Sequence, residues 1–85
     1  MLHPSQIRAA RSLLGWHQEH LAKKAKIGLA TIQRLEHGSE GPVMAHVATV
    51  VKITECLKKA GIVFLEAGNG GGVGVRLRER DPSSS

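Results

Sequence analysis

Residues 16–36, WHQEHLAKKAKIGLATIQRLE, contain two short helical patterns joined by a sharp corner. In both patterns, apolar side chains recur at the three- and four-residue spacing of a single helix face: Leu21, Ala22 and Ala25, then Ile32 and Leu35. The spacing predicts two helices, at about residues 18–25 and 29–37, that pack together through these side chains.

The corner between the two helices is made by Lys26, Ile27 and Gly28. A helix that ends this abruptly needs a left-handed residue, and Lys26 must adopt that conformation at a cost of about 1 kcal/mol relative to glycine. Ile27 can pack into the corner as an apolar plug, and Gly28 can serve as the N-cap of the second helix. The small Ala22 allows the two helices to cross closely.

Together, the helical phase, Ala22, Ile27 and a glutamine at the start of the first helix, Gln18, resemble the helix-turn-helix of lambda-repressor-like DNA-binding proteins, the Cro/C1 or XRE family. The resemblance covers about residues 6–61, and small XRE-type regulators also carry an ending like GIVFLEAGNGGGVGVRLR. The chain departs from the family's usual residues at three positions: His17, Lys26 and Gly28. The resemblance implies a mainly α, four-helix DNA-binding domain that acts as a sequence-specific transcriptional regulator.

Four helices are predicted, at about residues 4–14, 18–25, 29–37 and 44–60. Pro4 and Gln6 suit a helix start, where the Gln6 side chain can accept a hydrogen bond from an early backbone N–H. Gly15 and Gly61 suit helix ends. The predicted apolar face of the last helix consists of Val47, Val50, Val51, Thr54 and Leu57, widened by Ile53 and Cys56.

A change of period after Gly61 predicts a β-hairpin with strands at about residues 62–66 and 73–78. We expect residues 1–61 to form the helix-turn-helix domain, residues 62–80 to form the appended hairpin, and residues 81–85 to be a disordered tail. The outer strand has an unpaired edge that carries Val73, Val75 and Leu77. The hairpin is therefore the predicted dimerisation element.

In a helix-turn-helix, the second helix enters the major groove and its first residues meet base edges. The predicted DNA-reading residues are Leu29, Ala30, Thr31, Gln33 and Arg34. Leu29 and Ala30 offer apolar contact to thymine methyl groups, and Thr31 offers a hydroxyl. Arg34 can donate two hydrogen bonds to guanine, whereas the direction of Gln33 depends on how the helix is rotated.

The resemblance also implies that Gln18 binds phosphate and braces the reading helix, because phage repressors of the family carry a glutamine there. Further predicted phosphate contacts are His17, Lys23 and Ser39, which position the protein on the duplex rather than read its sequence. Glu36 and Trp16 are interpreted as structural residues rather than DNA contacts. Trp16 is expected to pack between the first helix and the helix-turn-helix.

The composition favours a polyanionic partner. Twelve Lys and Arg residues and seven Asp and Glu residues give the chain a net charge of +5. Nucleic acid is the commonest such partner, and charge that serves only solubility is the alternative. With 85 residues, 41% of them hydrophobic and only Trp16 and Phe64 aromatic, the chain predicts one small domain with an aliphatic core.

No catalytic residues and no cofactor are predicted, because the sequence shows no recognisable Ser-His-Asp, Cys-His or paired-carboxylate arrangement. His17 and His20 stand at i and i+3, but no third ligand is near in sequence, so no metal site is predicted. The single Cys56 cannot form an internal disulfide. No apolar run is long enough to cross a membrane, which favours a cytoplasmic protein without a membrane partner.

A single module of this kind buries about 600–1,000 Å² on DNA, so we expect a homodimer on a two-fold double-stranded operator. The alternative is a protein-interaction module with weak or no DNA binding, such as an antitoxin that binds a toxin, or an adaptor. Leu29 and Ala30 keep this alternative open, because an apolar helix tip also suits a protein surface.

Overall fold

The computed structural model describes residues 2–38, 45–68 and 70–78. Its elements follow one another in the order α1 (Pro4–Leu14), α2 (Gln18–Ala25), α3 (Leu29–Glu36), α4 (Val47–Lys59), β1 (Ile62–Leu65) and β2 (Gly74–Leu77). The two strands pair antiparallel, so four helices are followed by a hairpin, as the sequence predicts. None of the helices in the described ranges is long and apolar enough to cross a membrane.

Four predicted cap and corner residues in the first half of the chain are confirmed. The backbone N–H of His3 donates to Gln6 Oε1 at 2.9 Å at the start of α1, and Gly15 ends that helix with φ 69°. Lys26 has φ 59° and ψ 47°, and it is the one described non-glycine residue with positive φ. Gly28 is the extended N-cap of α3. These positions were predictable because each is set by a local demand of the backbone.

Several predicted boundaries are wrong by one to three residues. The last helix starts at Val47 rather than at 44, because His46 is extended, with φ −60° and ψ 144°, and acts as the N-cap. It ends at Lys59, and α3 ends at Glu36 with His37 as its C-cap. The strands are shorter than the predicted 62–66 and 73–78, because regular pairing stops at the Leu65–Gly74 and Ile62–Leu77 pairs.

Two predictions fall on residues outside the described ranges: the loop at residues 39–42 and the disordered tail expected at residues 81–85.

The core is aliphatic and draws on every helix and on β1. Five side chains in it are fully buried: Ile7, Leu21, Ile32, Ile53 and Leu57. Ile62 of β1 is 2% exposed and joins them. Phe64 and Val75 pack against this core from the hairpin, so the hairpin closes one side of the helical cluster rather than projecting from it.

The buried face of α4 is centred differently from the predicted one. Ile53 and Leu57 are fully buried, whereas Val47 is 78% and Val51 50% exposed. At about 100° per residue, Val47 and Val51 lie about 100° or more around the helix from the midpoint of Ile53 and Leu57. The prediction weighted all the valines equally. Only those in phase with Ile53 and Leu57 reach the core, as the partly buried Val50 does.

Gln6 joins the hairpin to α1. Its side chain is buried, and Nε2 donates to the carbonyl oxygens of Leu65 at 3.3 Å and Gly74 at 3.0 Å. The same side chain accepts from the His3 backbone, so one amide satisfies groups on three segments. A buried amide with all these partners fixes the position of the hairpin on the helices.

Candidate nucleic-acid interface

The exposed face of α3 carries three of the predicted DNA-reading residues. Ala30, Gln33 and Arg34 are exposed. They lie away from the buried side of the helix, which consists of Ile32, Leu35 and Glu36. Thr31 is half-buried at one margin of this face, and Leu29 is half-buried and packs against the core. The tip of α3 is therefore less apolar at its surface than its sequence indicates.

The start of α2 is hydrogen-bonded to the end of α3. His17 is the exposed N-cap of α2, and its ring makes no capping hydrogen bond. Gln18 Nε2 donates to Glu36 Oε1 at 3.2 Å, which ties the start of α2 to the end of α3. This contact braces α3, and it leaves the second amide N–H of Gln18 for another acceptor.

An ion pair that the sequence analysis missed fixes α1 against α3. Glu36 is 4% exposed, and both its carboxylate oxygens accept from Arg11, Oε2 from Nε and Oε1 from Nη2, each at 2.7 Å. Arg11 Nη1 donates to the Trp16 carbonyl at 2.9 Å, and Arg8 donates to the Glu36 carbonyl. Glu36 raises the pKa of the Arg11 guanidinium, an effect that outweighs the opposing effect of burial. Arg11 therefore stays charged.

A signal for this pair was present in the sequence. Arg11 follows Ile7 by four residues, so it stands at the edge of the apolar stripe of α1 rather than on its solvated side. A cation at that edge is placed to reach across to a neighbouring helix. Which anion it meets depends on the packing of α1 against α3, which the spacing alone does not contain.

The start of α4 lies beside Thr31 and Arg34 of α3. A shallow recess of about 490 Å³ is lined by Thr31, Arg34, Ala45, His46 and Thr49. The first backbone N–H groups of a helix have no partner within it and favour an anion. His46 and Thr49 are candidate phosphate contacts that sequence reasoning missed, because it placed the start of this helix at Met44.

The remaining predicted residues are Lys23, Ser39 and Trp16. Lys23 is exposed on α2, and Ser39 lies outside the described residues. Trp16 is partly buried and packs against the core, and its ring stacks on that of His20 with centroids 4.6 Å apart. Within residues 2–38, 45–68 and 70–78, no three His, Cys, Asp or Glu side chains are grouped as a metal site.

The chain matches no protein-family model, and no curated protein matches it significantly. Arg34, Gln33 and Thr31 offer donors suited to base edges or phosphates, and the start of α4 lies beside Thr31 and Arg34.

Proposed function

We propose that this chain is a DNA-binding transcriptional regulator of the lambda-repressor-like, XRE type, in which α2 and α3 form the helix-turn-helix. One observation carries the proposal. The start of α4 lies beside Thr31 and Arg34, next to the exposed face of α3 that also carries Ala30 and Gln33. A helix start is favourable for a phosphate, so an exposed helix face beside one suits a groove bordered by a phosphate backbone.

Within this proposal, the residues divide into readers and positioning residues. Arg34 is the strongest reader, because its guanidinium can donate two hydrogen bonds to guanine. Gln33 reads adenine or a neighbouring base, and Ala30 contacts a thymine methyl group. Leu29 contributes mainly to packing, because it is half-buried against the core. Thr31 and Gln18 bind phosphate together with His17, Lys23, His46 and Thr49.

The ion pair of Arg11 and Glu36 holds α3 on its buried side, opposite the reading face. It links α1 to the end of α3, and Gln18 links the start of α2 to the same carboxylate. Base readout requires side chains to be held on rigid elements, because an error of a fraction of an ångström breaks a two-bond contact. The pair is therefore assigned a positioning role.

The proposed regulator acts as a homodimer joined through β2. The described sheet has only two strands, so each strand has one edge without a strand neighbour. Leu77 on β2 is 47% exposed. Pairing of two β2 edges would extend the sheet across a two-fold axis, which matches a two-fold operator.

The test is binding to duplex DNA as a function of salt, with two variants. Arg34→Ala is expected to cost about 1–3 kcal/mol of discrimination between the best site and a changed site. Lys23→Ala is expected to weaken binding to all sequences alike and to reduce the slope of log K against log salt by about 0.9. A matched control is Lys58→Ala, an exposed lysine on α4, which should change neither quantity.

If Arg34→Ala weakened binding to every sequence equally, Arg34 would be a phosphate contact and the proposed role of α3 would be wrong.

The second candidate function is a protein-interaction module, such as an antitoxin or an adaptor. The observation in its favour is the exposure of Val47 and Val51, which present adjacent apolar side chains on α4. A protein with no affinity for duplex DNA at about 50 mM salt, where phosphate contacts are strong, would favour this candidate over the first.

A further inference from the structure

A groove between α2 and α4 is built from different residues than the proposed DNA interface. It has a volume of about 450 Å³, within the range of about 300–1,000 Å³ that is typical of small-molecule sites. Its apolar floor consists of Trp16, Ala25, Cys56 and Ala60. Burial raises the pKa of the Cys56 thiol, so this side chain is neutral and adds to the apolar character of the floor.

The rim of the groove is positively charged. It carries Lys24, Lys26, Lys52 and Lys59, against the single acid Glu55. Two helices, α2 and α4, end here, and each C-terminus contributes about half a negative charge. After this is subtracted, the rim keeps about two positive charges in excess. The lysines therefore do more than balance the two helix ends.

An apolar floor beneath a positive rim selects a ligand with an apolar body and one anionic head group. At about 30 Å³ for a group the size of water, the volume admits a ligand of roughly ten to fifteen heavy atoms. We propose that this groove binds a small amphipathic carboxylate, with its apolar chain on Trp16 and Cys56 and its carboxylate among the lysines. The proposal does not rest on DNA binding.

The chain contains its own reporters for this site. Trp16 is the single tryptophan and Cys56 the single cysteine, and both line the groove. A ligand seated on the floor should change the fluorescence of Trp16 and slow the alkylation of Cys56, with the same dissociation constant for both signals. Agreement between the two signals distinguishes binding in the groove from binding elsewhere.

The experiment titrates the full chain with decanoate below its micelle-forming concentration. Decylamine serves as a probe with the same chain and the opposite charge. The expected result is a saturable change of both signals with decanoate and none with decylamine. Equal responses to both probes, or no saturable response to decanoate, would overturn the proposal.

A pair of matched variants tests the role of the rim. Lys52→Gln with Lys59→Gln removes two rim lysines, and Lys23→Gln with Lys58→Gln removes two exposed lysines that do not line the groove. The rim variant should bind decanoate about three- to tenfold more weakly, as expected for two partly screened charges, and the control should bind as the parent does. Equal weakening in both variants would show that only net charge matters and would overturn the site. Thermal unfolding of each variant verifies that it folds.

Discussion

Glu36 is the buried charge on which the packing of α1 against α3 depends. Removing one partner of a buried ion pair leaves the other charge uncompensated, at a cost of about 3–5 kcal/mol when both are fully buried. The Arg11 side chain is 19% exposed, so Glu36→Gln should lower the free energy of unfolding by a smaller amount, about 2–3 kcal/mol. Urea denaturation measures the change. The control is Glu19→Gln at an exposed site, expected within about 0.5 kcal/mol of the parent.

If the two variants were equally stable, the pair of Arg11 and Glu36 would contribute nothing to the fold.

Lys26 adopts a strained left-handed backbone conformation at the corner between α2 and α3. The left-handed conformation costs a residue with a side chain about 1–2 kcal/mol relative to glycine. Glycine is also more flexible in the unfolded chain, and this entropy cancels part of the gain in stability. Lys26→Gly should therefore stabilise the protein by about 0.5–1 kcal/mol, measured by chemical denaturation. Lys23→Gly, the same change within α2, should destabilise it by up to about 1 kcal/mol. A loss of stability in both variants would contradict the strain at position 26.

At the residue scale, the sequence predicts where helices end but not which distant residues come into contact. Gly15 and Lys26 were assigned correctly from the residues beside them, because a helix end is a local event. The contact between Arg11 and Glu36 spans 25 residues and was missed. Its geometry follows from the angle between two helices, which no local pattern contains.

At the scale of elements, Gln6 is the link between α1 and the hairpin. Gln6→Met keeps the length of the side chain but removes the donors to Leu65 and Gly74 and the acceptor for His3. A loss of about 2 kcal/mol is expected, and amide exchange should accelerate more in β1 and β2 than in α2. Gln33→Met at an exposed site is the control. Uniform acceleration throughout the protein would contradict a specific role in holding the hairpin.

The elements themselves were predictable because their signals are periodic. The prediction is wrong about the start of α4 and about its buried face, because Val47 and Val51 are exposed. Both errors have one cause: a valine-rich helix offers two overlapping apolar stripes, and its sequence does not say which one the rest of the chain will cover.

At the scale of the whole molecule, the proposed dimer makes a prediction about β2. Deleting the hairpin is a poor test, because Ile62 belongs to the core and Gln6 would lose its partners. Leu77→Lys places a charge on the exposed edge strand and should convert a dimer to a monomer, measured by sedimentation equilibrium. Leu13→Lys makes the same change at a leucine of similar exposure on α1 and should remain dimeric. A Leu77→Lys dimer would exclude this edge as the interface.

The arrangement of the candidate interface was only partly predictable. The proposal that α3 is the reading helix follows from the order of the elements, and Arg34 and Gln33 are exposed on it. The contribution of α4 was not predicted, because the recess of Thr31, Arg34, His46 and Thr49 joins residues that meet only after folding. The groove of Trp16 and Cys56 was missed for the same reason.

The most direct measurement is selection of bound sites from random duplex DNA, performed in parallel with the parent chain and with Arg34→Ala. The parent should enrich an inverted repeat whose half-sites are centred about 10–10.5 base pairs apart, as two reading helices related by a two-fold axis require. Arg34→Ala should lose preference at one position in each half-site. No enrichment by the parent, or an identical motif from both proteins, would contradict the proposal that α3 reads DNA through Arg34.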